Sequence, residues 1–194
     1  GAYVSAALGT GLVTTDTRRN PGGGDRVEGS FTSRTAGVDL EAGQRIDFDD
    51  FALTPFAGVS LIHSRAPGYA ETVIAGSGNP ALAYRGLDQW AGTIRVGLDT
   101  AYATAIDDHV LSLYTRLAYL HHFASDGGTG ASFVALPGSY FDLQSATREG
   151  GAVTASVGAR YTLGPRTDLT LDLGGAWNQK STQFTGKLGF NLKW

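Results

Sequence analysis

Hydrophobic and polar positions alternate strictly at the end of the chain. From Phe184 to Trp194, Phe184, Gly186, Leu188, Phe190, Leu192 and Trp194 alternate with Thr185, Lys187, Gly189, Asn191 and Lys193. A period of two is the pattern of a strand whose faces meet different surroundings. The same design precedes it. Leu169, Leu171, Leu173 and Trp177 oppose Asp168, Thr170, Asp172 and Asn178, and Val153, Ala155, Val157, Ala159, Tyr161 and Leu163 oppose Thr154, Ser156, Gly158, Arg160 and Thr162. Further upstream, strands are predicted over 110–123, 90–102, 51–63, 36–46 and 2–13. The 51–63 pattern is the noisiest, because Phe56 and Ile62 fall opposite Leu53, Ala57, Val59 and Leu61. The count is roughly eight strands, most near the length at which a tilted strand crosses a bilayer.

The links between these strands alternate in kind. Tight, Asp-, Gly- or Pro-bearing turns are predicted at 47–50, 105–108 and 164–168. Long polar or Gly-rich links are predicted at 14–26, 65–88 and 125–150, and the short 178–183 hairpin belongs by parity to their side. This is the arrangement of an up-and-down sheet with two unlike ends. All the tight turns lie at the end that carries Trp194.

Composition then decides between a soluble β domain and a membrane barrel. A soluble sandwich or small barrel would bury the apolar face and show water the other one. That other face is mostly Gly, Ser and Thr, and only 17% of the chain is charged, where soluble surfaces carry roughly a quarter or more. Small polar residues with the sparse charges Glu41, Arg45, Arg95, Asp99, Arg116, Arg160, Asp172 and Lys187 suit a polar lumen. The other face is Leu, Val, Ala and Ile, with Trp90, Tyr102, Tyr119, Phe123, Tyr161, Trp177 and Trp194 near strand ends, where amphipathic rings favour the membrane interface. A mean hydropathy of -0.08 agrees, since only alternate residues of such a strand meet lipid. The expected fold is an all-β, transmembrane, antiparallel up-and-down β-barrel occupying residues 1–194.

Other classes fall away. The chain has no Cys, which removes disulfides, thiolate metal sites and a cysteine nucleophile. A net charge of -3 without a clustered basic face argues against a nucleic-acid partner. No apolar run is long enough for a transmembrane helix. Opening on Gly1, without methionine or a charged and then apolar leader, the chain reads as a domain excised from a longer protein, with any signal peptide upstream.

Two stretches carry a family resemblance. The strand ending Leu188-Gly189-Phe190-Asn191-Leu192-Lys193-Trp194 resembles the C-terminal strand of Gram-negative outer-membrane proteins. Gly37-Val38-Asp39-Leu40-Glu41-Ala42-Gly43-Gln44-Arg45, followed after a tight turn by Leu53-Thr54-Pro55-Phe56-Ala57-Gly58-Val59-Ser60-Leu61, resembles the β-domain of autotransporters, the type V secretion translocators. Arg95-Val96-Gly97-Leu98 and Val157-Gly158-Ala159-Arg160-Tyr161 look like later strands of the same domain, so the resemblance spans about 36–194. It implies a barrel of roughly twelve strands threaded by a helical linker. It also implies an N-terminal passenger that the barrel anchors and helps export, and a C-terminal strand read by the barrel-assembly machinery through Phe190, Leu192 and Trp194. With about eight strands and no amphipathic helix at its start, the chain looks like the C-terminal two-thirds of such a domain or a shortened relative.

The resemblance implies no catalysis, no cofactor and no metal. Its partners would be outer-membrane lipid, the assembly machinery and the passenger, in the outer membrane of a Gram-negative bacterium. Two alternatives stay open: a small porin-like or adhesion barrel, and an outer-membrane lipid hydrolase using His122 with Ser125. Against the hydrolase, His121 and His122 are adjacent on a strand and point to opposite faces, and no acid stands at an obvious spacing. The Gly22–Gly24 and Gly127–Gly130 runs read as loop tips, because neither joins a strand to a helix as a phosphate cradle does. The inner charges Glu41, Arg95, Arg116 and Arg160 pair across strands, line a hydrated path, or do both.

Overall fold

The computed structural model describes residues 1–77, 80–107, 109–125, 128–143 and 150–192. These residues form strands and no helix. The strands are β1 (Ala2–Gly22), β2 (Asp25–Gln44), β3 (Ile46–Phe48), β4 (Phe51–Ala66), β5 (Tyr69–Ala70), β6 (Thr72–Ala75), β7 (Leu82–Tyr84), β8 (Leu87–Ile106), β9 (His109–Ala124), β10 (Thr129–Phe133), β11 (Phe141–Leu143), β12 (Gly150–Gly164), β13 (Thr167–Asn178) and β14 (Thr182–Leu192). Eight long strands form an antiparallel wall in the order β1-β2-β4-β8-β9-β12-β13-β14. Each neighbours the next wall strand in the chain, as an up-and-down topology requires.

Register keeps every polar face on one side of the wall. Glu41 pairs with Gly58, Gly58 with Arg95, Asp99 with Arg116, Arg116 with Ser156, Gly158 with Asp172, and Asp172 with Lys187. The opposite side carries Val4, Leu8, Ile94, Val96, Leu117, Val157, Leu173 and Leu188, all exposed. Along β8 this apolar run is bracketed by Trp90 and Tyr102. At about 3.4 Å per residue and the usual strand tilt of about 40°, those two rings stand roughly 30 Å apart along the membrane normal.

The wall is curled. Arg116 on β9 hydrogen-bonds Glu41 on β2, although β4 and β8 lie between them. A flat sheet would hold strands three places apart at about 14 Å, too far for that contact without curvature. Among the described residues β1 and β14 pair with no strand on their outer edges, so the wall is a half-barrel with two open edges.

The long links differ from expectation. Residues 14–22 continue β1, and β2 begins at Asp25, so the hairpin extends well past the wall's neighbours before turning at Gly23 and Gly24, both at positive φ. The described parts of 65–88 and 125–150 are not plain loops either. They supply β5, β7, β10 and β11, which form a second sheet in the order β11-β10-β7-β5, while β6 pairs with β2. This cap holds the residues that pack like a soluble core: Val27, Ala81 and Ala131 are fully or almost fully buried, and the polar Ser132 and Glu71 are buried too. The tight turns at 47–50 and 164–168 are found as expected, with Asp49 at positive φ.

Candidate functional site: charges on the inner face

Alternation in β2, β4, β8 and β9 delivers one set of polar side chains to the concave face, and curvature brings them together. Arg95 is the hub. Its Nη2 donates to Asp39 Oδ1 at 2.6 Å, its Nη1 to Asp39 Oδ2 and Ser60 Oγ at 2.8 Å each, and its Nε to Glu41 Oε2 at 3.1 Å. The Ser60 hydroxyl also donates to Asp39. Glu41 takes a second guanidinium from Arg116 at 2.9 Å, and the Tyr3 hydroxyl donates to its other oxygen at 2.9 Å. Arg116 lies 4.0 Å above the Phe56 ring, a cation–π arrangement. Its Nε stands 3.3 Å from Asp99 Oδ1, off the hydrogen-bond axis, so that oxygen is an ion-pair partner that accepts no hydrogen bond. A cavity of about 460 Å³ opens beside these groups, lined by Ser5, Asp39, Glu41, Phe56, Arg95, Arg116, Ala118, Leu120 and Thr154.

The eight inner charges singled out from the sequence therefore divide, with Arg45 bonded to Asp47 apart from the others and Asp99 beside Arg116. Glu41, Arg95 and Arg116 join one network. Asp172 belongs to a second group, where it accepts a hydrogen bond from Tyr114. Lys187 is opposite Asp172 in register but makes no ion pair with it, and Arg160 sits between Ser112 and Thr170 with no ion-pair partner among the described residues. Phe190 and Leu192 lie on the outer face of β14, opposite Leu169 and Thr167. Trp194 lies outside the described residues.

Asp39, Ser60, Tyr3 and Phe56 were not among the residues singled out, though all share the inner parity. Phe56 explains the noise in the β4 pattern. It is an inward aromatic, buried at 5% exposure, over Gly97, where a Cβ would come within 2.5 Å of its ring. Tyr114 likewise occupies the space above Gly158. The inner glycines thus seat rings from neighbouring strands.

Among the described residues, His121, His122 and Ser125 are not brought together. His122 Nδ1 is 2.8 Å from Thr93 Oγ1 on the inner face, while His121 pairs with Ile94 on the outer one. Ser125 Oγ bonds the Trp90 backbone instead of a histidine. Among the described residues no group of three His, Asp or Glu side chains could hold a metal ion.

Outside the wall, the cap is locked by Glu71. Its carboxylate receives Arg19 Nε at 3.0 Å, Arg19 Nη2 at 2.5 Å and the Leu82 amide at 2.7 Å, and Arg19 Nη2 also reaches the Pro80 carbonyl at 2.7 Å. Burial opposes the charge on Glu71, but these donors outweigh it and hold the carboxyl below its ordinary pKa. Phe31, Tyr69 and Tyr84 stack beside the pair at 4.7 Å spacings.

An up-and-down wall with an apolar outer band, bracketed on β8 by Trp90 and Tyr102, and a charged concave face is a segment of an outer-membrane-type β-barrel. The description "Autotransporter beta-domain" matches residues 1–174, and the chain belongs to that family. Among solved structures it is similar to the beta domain of the Bordetella autotransporter BrkA, with a TM-score of 0.63 and 20% identity, over 100% of this chain and 68% of that one. No protein with a curated description matches it in sequence. The family match begins at residue 1, well before the Gly37-to-Leu61 motifs. Members of this family are translocator barrels of the Gram-negative outer membrane that carry a linked passenger to the cell surface; enzymatic activity, where a member has any, belongs to its passenger.

Proposed function

We propose that this chain is one side of a translocator barrel whose inner charges serve two ends at once. They lock the curvature of the wall, and they line the hydrated path taken by the passenger and its linker. The observation that carries the reading is Arg95, which ties β8 to two carboxylates of β2 across β4. Charges in a low-dielectric wall must be paired, and these pair with one another, so the face stays polar and firm without gripping what passes. Arg160, Asp172 and Lys187 extend the same lining over β12 to β14. The open edges of β1 and β14 carry unpaired backbone groups that lipid cannot satisfy, so further strands of the barrel cover them. The outer band meets outer-membrane lipid, and Phe190, Leu192 and Trp194 form the surface that the assembly machinery reads.

The test uses the full-length protein. In Gram-negative cells, Arg95→Ala is expected to lower the amount of passenger that external protease releases. It is also expected to weaken the compact band that the folded barrel gives on a denaturing gel without boiling. Unchanged passenger display and an unchanged compact band would overturn the role given to the network. A passenger that never reaches the surface of wild-type cells, with the chain recovered in a soluble fraction, would overturn the membrane reading itself.

A further inference from the structure

Just beyond the Trp90 level, on the outer face, two arginines of neighbouring strands stand directly opposite each other. Arg34 of β2 pairs in register with Arg65 of β4. Like charges placed so across a sheet repel, and a sequence that keeps both needs something to offset the repulsion. The protein's own carboxylates do little. Arg34 has no ion-pair partner among the described residues, and Arg65 has a long one, its Nε 3.8 Å from Asp88 Oδ2, while the other oxygen of Asp88 meets His63 Nε2 at 2.7 Å. Both guanidinium groups are exposed.

Their height is informative. His63, two residues inward from Arg65, stacks on Trp90 at 4.5 Å between ring centroids, and Trp90 heads the apolar run of β8. Aromatic rings at that position mark the boundary between hydrocarbon and headgroups. One step further out is the layer where lipid phosphates lie. Arg34 and Arg65 occupy that step at the end of the wall that carries the cap. Thr32 and Thr14, paired at 3.0 Å, add hydroxyls next to Arg34 on the same face.

We infer that Arg34 and Arg65 form a binding site for the phosphate groups of an outer-leaflet glycolipid, seated on the outside of the barrel above the His63–Trp90 pair. Guanidinium forks match phosphate oxygens in pairs, and a dianionic headgroup between the two arginines turns their repulsion into a shared attraction. The acyl chains of the same lipid would lie along Trp90, Ile94 and Leu61. The site rests on the outer-membrane reading above, and it gives the cap end of the wall a preference for one leaflet.

The experiment titrates diphosphorylated lipid A into the full-length protein folded in neutral detergent and counts retained lipid by native mass spectrometry. The wild type is expected to retain lipid A, and the double variant Arg34→Gln/Arg65→Gln to bind it about tenfold more weakly, the scale of one charge-assisted bidentate contact. Arg166→Gln, an exposed arginine at the opposite end, is expected to change nothing, and inorganic phosphate alone is expected not to displace the lipid. Equal retention by the double variant or an equal loss in Arg166→Gln would each overturn the site while the unboiled compact band stands, and displacement by inorganic phosphate would overturn its assignment to the glycolipid. Absence of that band in the wild type would overturn the membrane reading, and the site with it.

Discussion

The wall and the cap obey opposite rules of burial. In the wall, the apolar residues of the outer face are exposed, Leu8 at 85% and Leu188 at 76%, and polar groups face one another across the concave side. In the cap, Val27 and Ala131 are fully buried and a buried carboxylate is paired with a partly exposed guanidinium, as in a small soluble domain. One chain thus assumes two solvents. Where lipid is the solvent, the ladder of backbone hydrogen bonds and the inner pairs hold the fold, and the apolar face needs no protein partner. Where water is the solvent, a few side chains must be removed from it, and the cap does this with segments from three separate links.

The comparison breaks first on the wall. Leu171 lies on the outer face of β13 between Ala159 and Leu188, near the middle of its strand. Leu171→Arg is expected to destabilise the barrel by about 2 to 4 kcal/mol if that position meets mid-bilayer lipid. Urea unfolding of the protein in vesicles measures it, and a neutral result would mean that the outer band does not face hydrocarbon. The cap should be indifferent, its proteolytic pattern unchanged while the wall remains folded.

Glu71→Ala is the reciprocal cut. It leaves Arg19 and the Leu82 amide without their acceptor in a mostly buried place. Breaking a buried pair costs about 3 to 5 kcal/mol, and the partial exposure of Arg19 brings the expectation down to about 2 to 3 kcal/mol. That loss is local. Hydrogen exchange should accelerate in β5, β7 and β10, with the exchange of β8, β9 and β12 and the compact unboiled band kept. A loss of the band as well would show that the cap and the wall are one cooperative unit.

The same contrast explains what could be read from the sequence. Strand faces were legible wherever the two sides meet different media, because lipid and lumen select different residues at every second position. Residues 14–20, Thr-Thr-Asp-Thr-Arg-Arg-Asn, are strand without alternation, since that extension carries no apolar outer face. They therefore read as a link. β5, β7, β10 and β11 are two to five residues long, too short for any period to register. Glu41, Arg95 and Arg116 were recognised as inner charges, but their meeting depends on curvature, which no local pattern encodes. Phe56 broke the alternation for a structural reason: an inward ring over Gly97, beneath Arg116.

Acid offers the gentlest way to separate the two regions. Glu71 is held below its ordinary pKa of about 4.5 against the opposing effect of burial, by the Arg19 hydrogen bonds, the Leu82 amide and the Arg19 charge. A carboxyl whose pKa is lower folded than unfolded stabilises the fold in full above its unfolded value, and loses that contribution as pH falls through its folded value. Arg19 keeps its charge throughout, and Tyr84, raised by burial and by nearby Glu71, stays neutral over this range. Cap protection, followed by hydrogen exchange or limited proteolysis, should therefore hold from neutrality to near pH 5 and decline below the ordinary glutamate range. The loss should be smaller than that of Glu71→Ala, because protonated Glu71 still fills its place and keeps part of its hydrogen bonding. In Glu71→Gln the decline should flatten, since no proton is then taken up at this position. If wild type and Glu71→Gln lose cap protection at the same pH and to the same degree, another group controls the cap's response to acid, and the Arg19–Glu71 pair is not what couples the cap to the medium it faces.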